Sequence, residues 1–238
     1  PGRDIFTHTP IIESMCGRFV LFTTGERLLD AVGTLPGVTE VRAPRDTPPA
    51  RYNIAPTQIA PVVRLGGEAN SEALVEPARW GLLPHWKRDE KGPTLFNARS
   101  ETVAEKPSFR DAFAKRRCVI PMDGYYEWHE KVPHFISRDD SGLLWAAGLW
   151  DTGLDQLSCT IVTTASAGPL EWLHDRMPLL LDAASAAAWC TGSAGSATEM
   201  LAPAVPTLRA HLQVRPVRRD VGNVSNDFPG LLDAVEAE

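Results

Sequence analysis

Cys16, directly after Met15, is the residue of this chain best able to do covalent chemistry. Removal of a start methionine is permitted by a small following side chain. It would leave Cys16 with an α-amine and a thiol on adjacent carbons. The ordinary pKa values of these groups, about 7.7 to 8.0 and about 8.5, leave useful populations of free amine and thiolate near neutral pH. With an aldehyde the amine gives an imine and water, the thiolate adds to the imine carbon, and a five-membered thiazolidine closes. A cysteine inside a chain lacks the amine and cannot follow this course. A cysteine near a chain end can also be a small buried hydrophobe, so the dipeptide alone leaves both readings open. Cys118, Cys159 and Cys190 are far apart and form no C-x-x-C pair, which argues against a zinc ribbon and a thioredoxin-type motif. The stretch His129-Glu130-Lys131-Val132-Pro133-His134 has the wrong spacing and an internal proline for a helical H-E-x-x-H site. Neither a metal site nor a cofactor is expected.

The elements that must position Cys16 are legible in outline. With 238 residues, 43% apolar and 23% charged, the composition is that of an ordinary globular chain able to bury a core without staples. No run approaches the roughly 18 to 20 apolar residues of a membrane span. Residues 1–14 lack the marks of a secretory signal. They read as a leader, and the expected location is cytoplasmic. Net charge is −6, which argues against a sequence-blind duplex binder, yet Arg79 to Arg117 holds ten Lys/Arg against five Asp/Glu. That stretch is either a local basic face or a charge-rich solvated surface.

Strand-like segments are expected at Gly17–Phe22, Arg51–Pro56, Ala60–Leu65, Ala78–Leu82, Arg117–Pro121, His134–Ile136, Leu143–Leu149 and Leu157–Thr163, separated by Gly, Pro and Asp turns. Helices are expected at Glu26–Val32, Pro107–Arg116, Pro169–Leu173, Asp182–Cys190 and Ala197–Leu201. With no repeat or long linker, the reading is one compact, β-rich α+β domain over residues 16–238, with a largely antiparallel sheet, short peripheral helices, and residues 1–15 as leader.

Cys16-Gly17-Arg18, Arg51-Tyr52-Asn53-Ile54-Ala55-Pro56, Asn97-Ala98-Arg99-Ser100-Glu101-Thr102, Pro121-Met122-Asp123-Gly124-Tyr125-Tyr126-Glu127-Trp128 and His174-Asp175-Arg176-Met177-Pro178 together resemble the SOS response-associated peptidase (SRAP) family. The resemblance extends from Met15 to Val221-Gly222-Asn223-Val224-Ser225-Asn226. It implies a protein that recognises abasic sites in single-stranded DNA and joins to them through an N-terminal cysteine; separately from the resemblance, a monomer with no membrane partner is expected. It also implies roles for individual residues. Cys16 matches the nucleophile, Asn97 an amide near it, Glu127 the catalytic carboxylate and His174 the site histidine. Arg18, Arg99 and Arg176 match basic positions, while Asn53, Pro56, Trp86 and Thr163 match residues lining the DNA cleft.

Chemistry gives these implied roles a reason. Imine formation needs a proton donor for departing water, which a carboxyl set between Tyr126 and Trp128 could supply. A histidine can protonate the sugar ring oxygen, arginine forks suit phosphates, and an indole can stack on a base. Two features depart from the family pattern. Residues before Cys16 would block its amine unless they are released, and His85 stands beside Trp86 where a second aromatic can occur. The competing readings are a cysteine peptidase built on Cys16, His174 and Asn97, and a non-catalytic single-stranded DNA binding module.

Overall fold

The computed structural model describes residues 17–202 and 206–235. Strand β1 (Arg18–Leu21) shows why the chain folds as it does near its start. Successive side chains of a strand point to opposite faces. Here Phe19 and Leu21 enter the main core, while Val20 enters a smaller one with Tyr126, Phe135, Val217, Val221 and Leu231. Both faces of β1 are therefore covered. Helix α1 (Glu26–Gly33) follows, burying Leu28 and Val32. Next come β2 (Glu40–Arg42), β3 (Arg51–Ile54), β4 (Ile59–Gly66), β5 (Glu72–Trp80) and the short β6 (Asn97–Arg99). Helix α2 (Arg110–Lys115) leads into β7 (Arg117–Met122), β8 (Gly124–His129), β9 (Val132–Arg138), β10 (Leu144–Asp151) and β11 (Ser158–Ala165). The remainder is β12 (Arg176–Pro178), β13 (Leu180–Leu181), α3 (Ala183–Thr191), α4 (Ala194–Glu199), α5 (Pro206–Ala210) and β14 (Leu212–Pro216).

Two sheets result. One has the order β14-β9-β8-β1-β3, antiparallel throughout. The other runs β12-β11-β10-β7-β4-β5-β2, with β13 and β6 attached to β10 and β11. Its strands β11, β10, β7, β4 and β5 also close on themselves, because Ser158 and Cys159 pair with Arg79 and Trp80. A ring of five strands with four antiparallel contacts must make its fifth contact parallel, and the β5–β11 pairing is parallel. The sheet-rich α+β class read from the sequence is the class observed.

Edge-to-face packing of Phe19 on Trp80, with centroids 5.1 Å apart, joins the two sheets. Asp182 caps α3, its carboxylate accepting from the Ser185 amide at 2.7 Å. Arg117 is buried without an acidic hydrogen-bond partner. Its guanidinium instead donates to Phe113 and Ala114 at the end of α2 and to Trp189 and Gly192 at the end of α3, where the unpaired carbonyls of helix ends attract a cation.

The sequence reading places β1, β3, β4, β7, β9, β10 and β11 to within about two residues, catches only the end of β5, which begins at Glu72 and not at Ala78, and does not include β2, β6, β8, β12, β13 or β14. It differs at Pro169–Leu173, where the structure has a one-turn 3₁₀ helix at Gly168–Leu170, and at Ala197–Leu201, where the helix starts three residues earlier. The β8–β9 hairpin was not expected. Its two turn residues, Glu130 and Lys131, have φ of 48° and 67°. That is the left-handed pair demanded by a tight hairpin turn and usually supplied by Asn-Gly. Gly124 at the head of β8 is required for a different reason. A Cβ there would collide with the Ile136 carbonyl and the Phe135 ring.

Candidate active site

Glu127 lies on β8, which is hydrogen-bonded to β1 in the register Arg18↔Tyr126, Phe19↔Tyr125 and Val20↔Gly124. The carboxyl is thus one residue from the partner of Arg18, at the end of β1 that Cys16 leads into. Cys16 itself, like residues 1–15, is outside the described residues. Glu127 is only 4% exposed, and its Oε1 accepts from the Trp128 amide at 3.2 Å. The neighbouring Tyr126 hydroxyl donates to the Tyr52 carbonyl at 2.9 Å, and burial raises its pKa. The connection between β1 and the following loop is fixed by Asp123, which accepts from the amides of Phe22 and Thr23 and from the Thr23 hydroxyl at 2.6 to 2.8 Å.

Arg18 and Asn53 face inward together. Asn53 is fully buried, its Nδ2 donating to the carbonyls of Val221, Asn223 and Asn226. Arg18 Nη1 donates to Asn53 Oδ1 at 3.1 Å and to the Val221 carbonyl at 2.8 Å, and burial lowers the guanidinium pKa. Pro56 occupies the second position of a tight turn closed by the Gln58 amide on the Ala55 carbonyl, with Thr57 at φ 74°. This is a type II turn with proline at its favoured place. It presents Pro56 half-exposed.

A second group assembles around β11. Its register sets Asn97, Ala98 and Arg99 of β6 beside Ile161, Val162 and Thr163, and Ala165 opposite Arg176 of β12. Thr163 is fully buried, and its carbonyl and hydroxyl both accept from Arg176 Nη2, at 2.7 and 3.3 Å. The same guanidinium grips both carboxylate oxygens of Glu101, whose pKa that hydrogen bond lowers. Arg99 is exposed on the same strand as Asn97. His174 is half-buried, and its Nδ1 accepts from the Arg176 amide at 3.0 Å. The neutral ring therefore carries its proton on Nε2.

Trp86 is 49% exposed, in the loop between β5 and β6. The root of that loop is held by Asp151, which accepts from the His85 amide at 3.1 Å and from Arg116 at 3.0 Å. The His85 ring also lies 3.2 Å from Asp151. His85 is thus engaged with the loop anchor. The basic stretch is divided in the same way: Arg117 is buried at the helix ends, while Arg88, Lys106, Arg110 and Lys115 are exposed.

Residues 15–224 match the protein family described as SOS response associated peptidase (SRAP). The chain belongs to the SRAP family. It is 34% identical over 233 residues to Abasic site processing protein YedK of Escherichia coli (strain K12), covering 93% of this chain and 100% of that protein. It is 38% identical over 178 residues to Abasic site processing protein YoqW of Bacillus subtilis (strain 168), covering 70% of this chain and 76% of that one. With Abasic site processing protein HMCES of Rattus norvegicus, identity is 30% over 268 residues, covering 92% and 75%. A crystal structure of a Bacteroides thetaiotaomicron protein superposes with a TM-score of 0.75 at 22% identity, over 93% of this chain and 100% of that one. At that identity the likeness speaks for the fold.

In this SRAP chain the sequence-derived residues fall into the two groups just described, one on the β1–β3–β8 sheet and one around β11, with Trp86 on a separate loop. Several participants went unread. Glu101 neutralises Arg176, and Asp123 fixes the chain after β1. Trp172 touches His129 and His134 of the β8–β9 hairpin, linking the His174 segment to the sheet that bears Glu127. Glu101 and Asp123 stand inside the quoted motifs, which was the available signal. Trp172 stands two residues before one. Among the described residues there are three free cysteines, Cys118 and Cys159 buried and Cys190 half-buried. Burial pushes the thiols of Cys159 and Cys190 up to about 12 and raises that of Cys118 well above its ordinary value. The described residues contain no group of three or more His, Cys, Asp or Glu placed to hold a metal ion, and no helix long and apolar enough to cross a membrane.

Proposed function

We propose that this SRAP protein captures abasic sites in single-stranded DNA by forming a thiazolidine between the lesion's aldehyde and Cys16, once Cys16 has a free α-amine. The observation that carries this reading is the place of Glu127: a carboxyl almost fully withdrawn from water, on the strand paired with the one that Cys16 leads into. The names of the relatives point to the same lesion. Of the other three cysteines, Cys118 and Cys159 are buried and Cys190 half-buried, and the raised pKa values of their thiols make them poor nucleophiles near neutral pH.

The steps balance without a cofactor. The closed sugar opens as its anomeric hydroxyl loses a proton to water and its ring oxygen gains one from water, the Nε2–H of His174 hydrogen-bonding to that oxygen as the C–O bond breaks. The Cys16 amine adds to the aldehyde carbon. Glu127 passes a proton to the departing hydroxyl, water leaves, and the iminium nitrogen returns a proton to the Glu127 carboxylate, so an imine remains. The Cys16 sulfur then adds to the imine carbon, and the nitrogen takes the thiol's proton. Aldehyde and aminothiol have become thiazolidine and water. Asn97 serves the amine or the sugar oxygen by hydrogen bonding. Arg99 meets phosphates, Arg176 does so only where a phosphate displaces the Glu101 carboxylate, Arg18, Asn53 and Thr163 hold the cleft wall in shape from beneath, and Pro56 and Trp86 contact unstacked bases.

The test uses protein whose chain begins at Cys16 and a single-stranded oligonucleotide bearing one abasic site. A denaturation-resistant adduct, one water lighter than the sum of the reactants by intact mass, is expected. Cys16→Ala should abolish it and leave noncovalent binding nearly unchanged. Cleavage of an unrelated peptide without any adduct would favour a cysteine peptidase instead. Binding with neither reaction would leave a single-strand binding module.

A further inference from the structure

Trp172 is 52% exposed, more than any other large hydrophobic side chain among the described residues. It is not needed to anchor its own segment, since Leu170 and Leu173 on either side are 2% and 3% exposed and sit in the core. Two imidazoles hold it. His129 meets the indole with centroids 5.2 Å apart at 74°, and His134 does so at 5.2 Å and 84°. Both are edge-to-face contacts that fix the ring's orientation.

The position of this cluster gives it meaning. His134 is paired directly opposite Glu127, and His129 lies two residues beyond Glu127 on the same strand. Directly opposed and alternate residues share a face of the sheet, so His129, His134 and Glu127 are on one face. Trp172 comes two residues before His174. The indole thus stands where the Glu127 face meets the His174 segment, half of it open to water. The His134 ring donates from Nδ1 to the Val132 carbonyl at 3.0 Å, which settles its tautomer and keeps it from turning. An aromatic ring pre-set in orientation loses little freedom when a flat partner lands on it. Beside a group that handles a deoxyribose, the flat partner available is the base of an adjacent nucleotide.

We propose that Trp172, held by His129 and His134, is the stacking platform for the nucleobase next to the lesion. This rests on the reading of the site as one for abasic single-stranded DNA, and the experiment separates the two. The full chain is titrated with a short single-stranded oligonucleotide carrying a tetrahydrofuran residue, which mimics the abasic sugar but has no aldehyde. Two companion oligonucleotides lack, in addition, the base on the 5′ or the 3′ side of that residue. Wild-type protein should lose about 5- to 150-fold in affinity when the base on one side is removed, the range of a base–aromatic stack. Trp172→Ala should bind the parent oligonucleotide more weakly by a similar factor and become indifferent to that base. Trp172→Phe should keep most of the effect. Thermal unfolding of both variants should remain near that of wild type, because the ring is half in water. If Trp172→Ala shows the same loss as wild type on each side, or wild type is indifferent to both bases, the platform is refuted while the site reading stands. Wild-type protein that fails to bind any of the three refutes the site reading and the platform with it.

Discussion

Replacing Asn53 by alanine should unfold the wall of the site before it affects any ligand contact. The side chain is fully buried, and its two Nδ2 hydrogens serve three carbonyls, those of Val221, Asn223 and Asn226, at 3.1, 3.1 and 2.9 Å. Its Oδ1 accepts from the Arg18 guanidinium at 3.1 Å. A neutral hydrogen bond contributes about 1 kcal/mol net and one to a charged group about 1.5 to 3, and a stranded buried carbonyl costs about as much again. The Val221 carbonyl keeps Arg18 as a donor at 2.8 Å, so it is not stranded. The expected destabilisation for Asn53→Ala is therefore about 2 to 4 kcal/mol, or about 4 to 16 °C in Tm for a domain of this size. Asn53→Asp keeps the acceptor for Arg18 but aims an oxygen at three carbonyl oxygens, and should be at least as damaging at neutral pH. Urea and thermal denaturation measure the loss. Hydrogen exchange should show the amides of residues 221–226 opening first, since these are the carbonyl-bearing turns the side chain holds. An Asn53→Ala protein of unchanged Tm and unchanged exchange but weakened DNA binding would refute this account, placing the amide on the ligand.

Gly124→Ala should cost more than 3 kcal/mol or prevent folding, because the added Cβ meets the Ile136 carbonyl, which cannot move aside without breaking the β8–β9 ladder; circular dichroism and yield of soluble protein report it. Cys118, Cys159 and Cys190 should resist a thiol reagent at pH 8 in the native protein and react fully in denaturant, as burial holds the latter two near 12; fast native labelling of any of the three would contradict the packing. Burial lowers the His134 pKa below its ordinary value, with a smaller contribution from His129. Its contribution to stability should therefore be complete above about pH 6.5 and decline as pH falls below it, the unfolded chain taking up the proton first. His134→Gln should flatten that limb of a stability–pH curve. Glu101→Gln should release Arg176 from its carboxylate, tighten single-stranded DNA binding several-fold, and steepen the plot of log affinity against log salt by up to about 0.7; an unchanged slope would mean that Arg176 meets no phosphate.

Four strands of the closed ring, β4, β7, β10 and β11, were legible because they are nearly continuous apolar runs, as in Leu144–Leu149 and Cys159–Val162, whereas β5 carries Glu72, Glu76 and Pro77 and was legible only at its end. The β8–β9 hairpin was not, although it carries Glu127. Its turn is Glu130-Lys131 in a conformation usually given to Asn-Gly, and β8 reads Gly-Tyr-Tyr-Glu-Trp-His, which has no alternation because Tyr125 and Tyr126 are buried on opposite sides in different cores. The three-residue β6 is too short to carry a period at all, and exists because β11 offers it a parallel edge. The site divides along the same line. Each motif announced its residues by type, but whether a side chain faces a ligand or the protein depends on partners far along the chain. Asn53 finds its carbonyls 168 to 173 residues away, and Arg176 finds Glu101 75 residues away. Two residues the motifs present as polar contacts are thus internal supports or internally neutralised, and an indole that no motif contains stands exposed against the β8–β9 hairpin. Motif residues set the chemistry of the site, whereas long-range pairing decides which of its charges and rings remain available to a ligand.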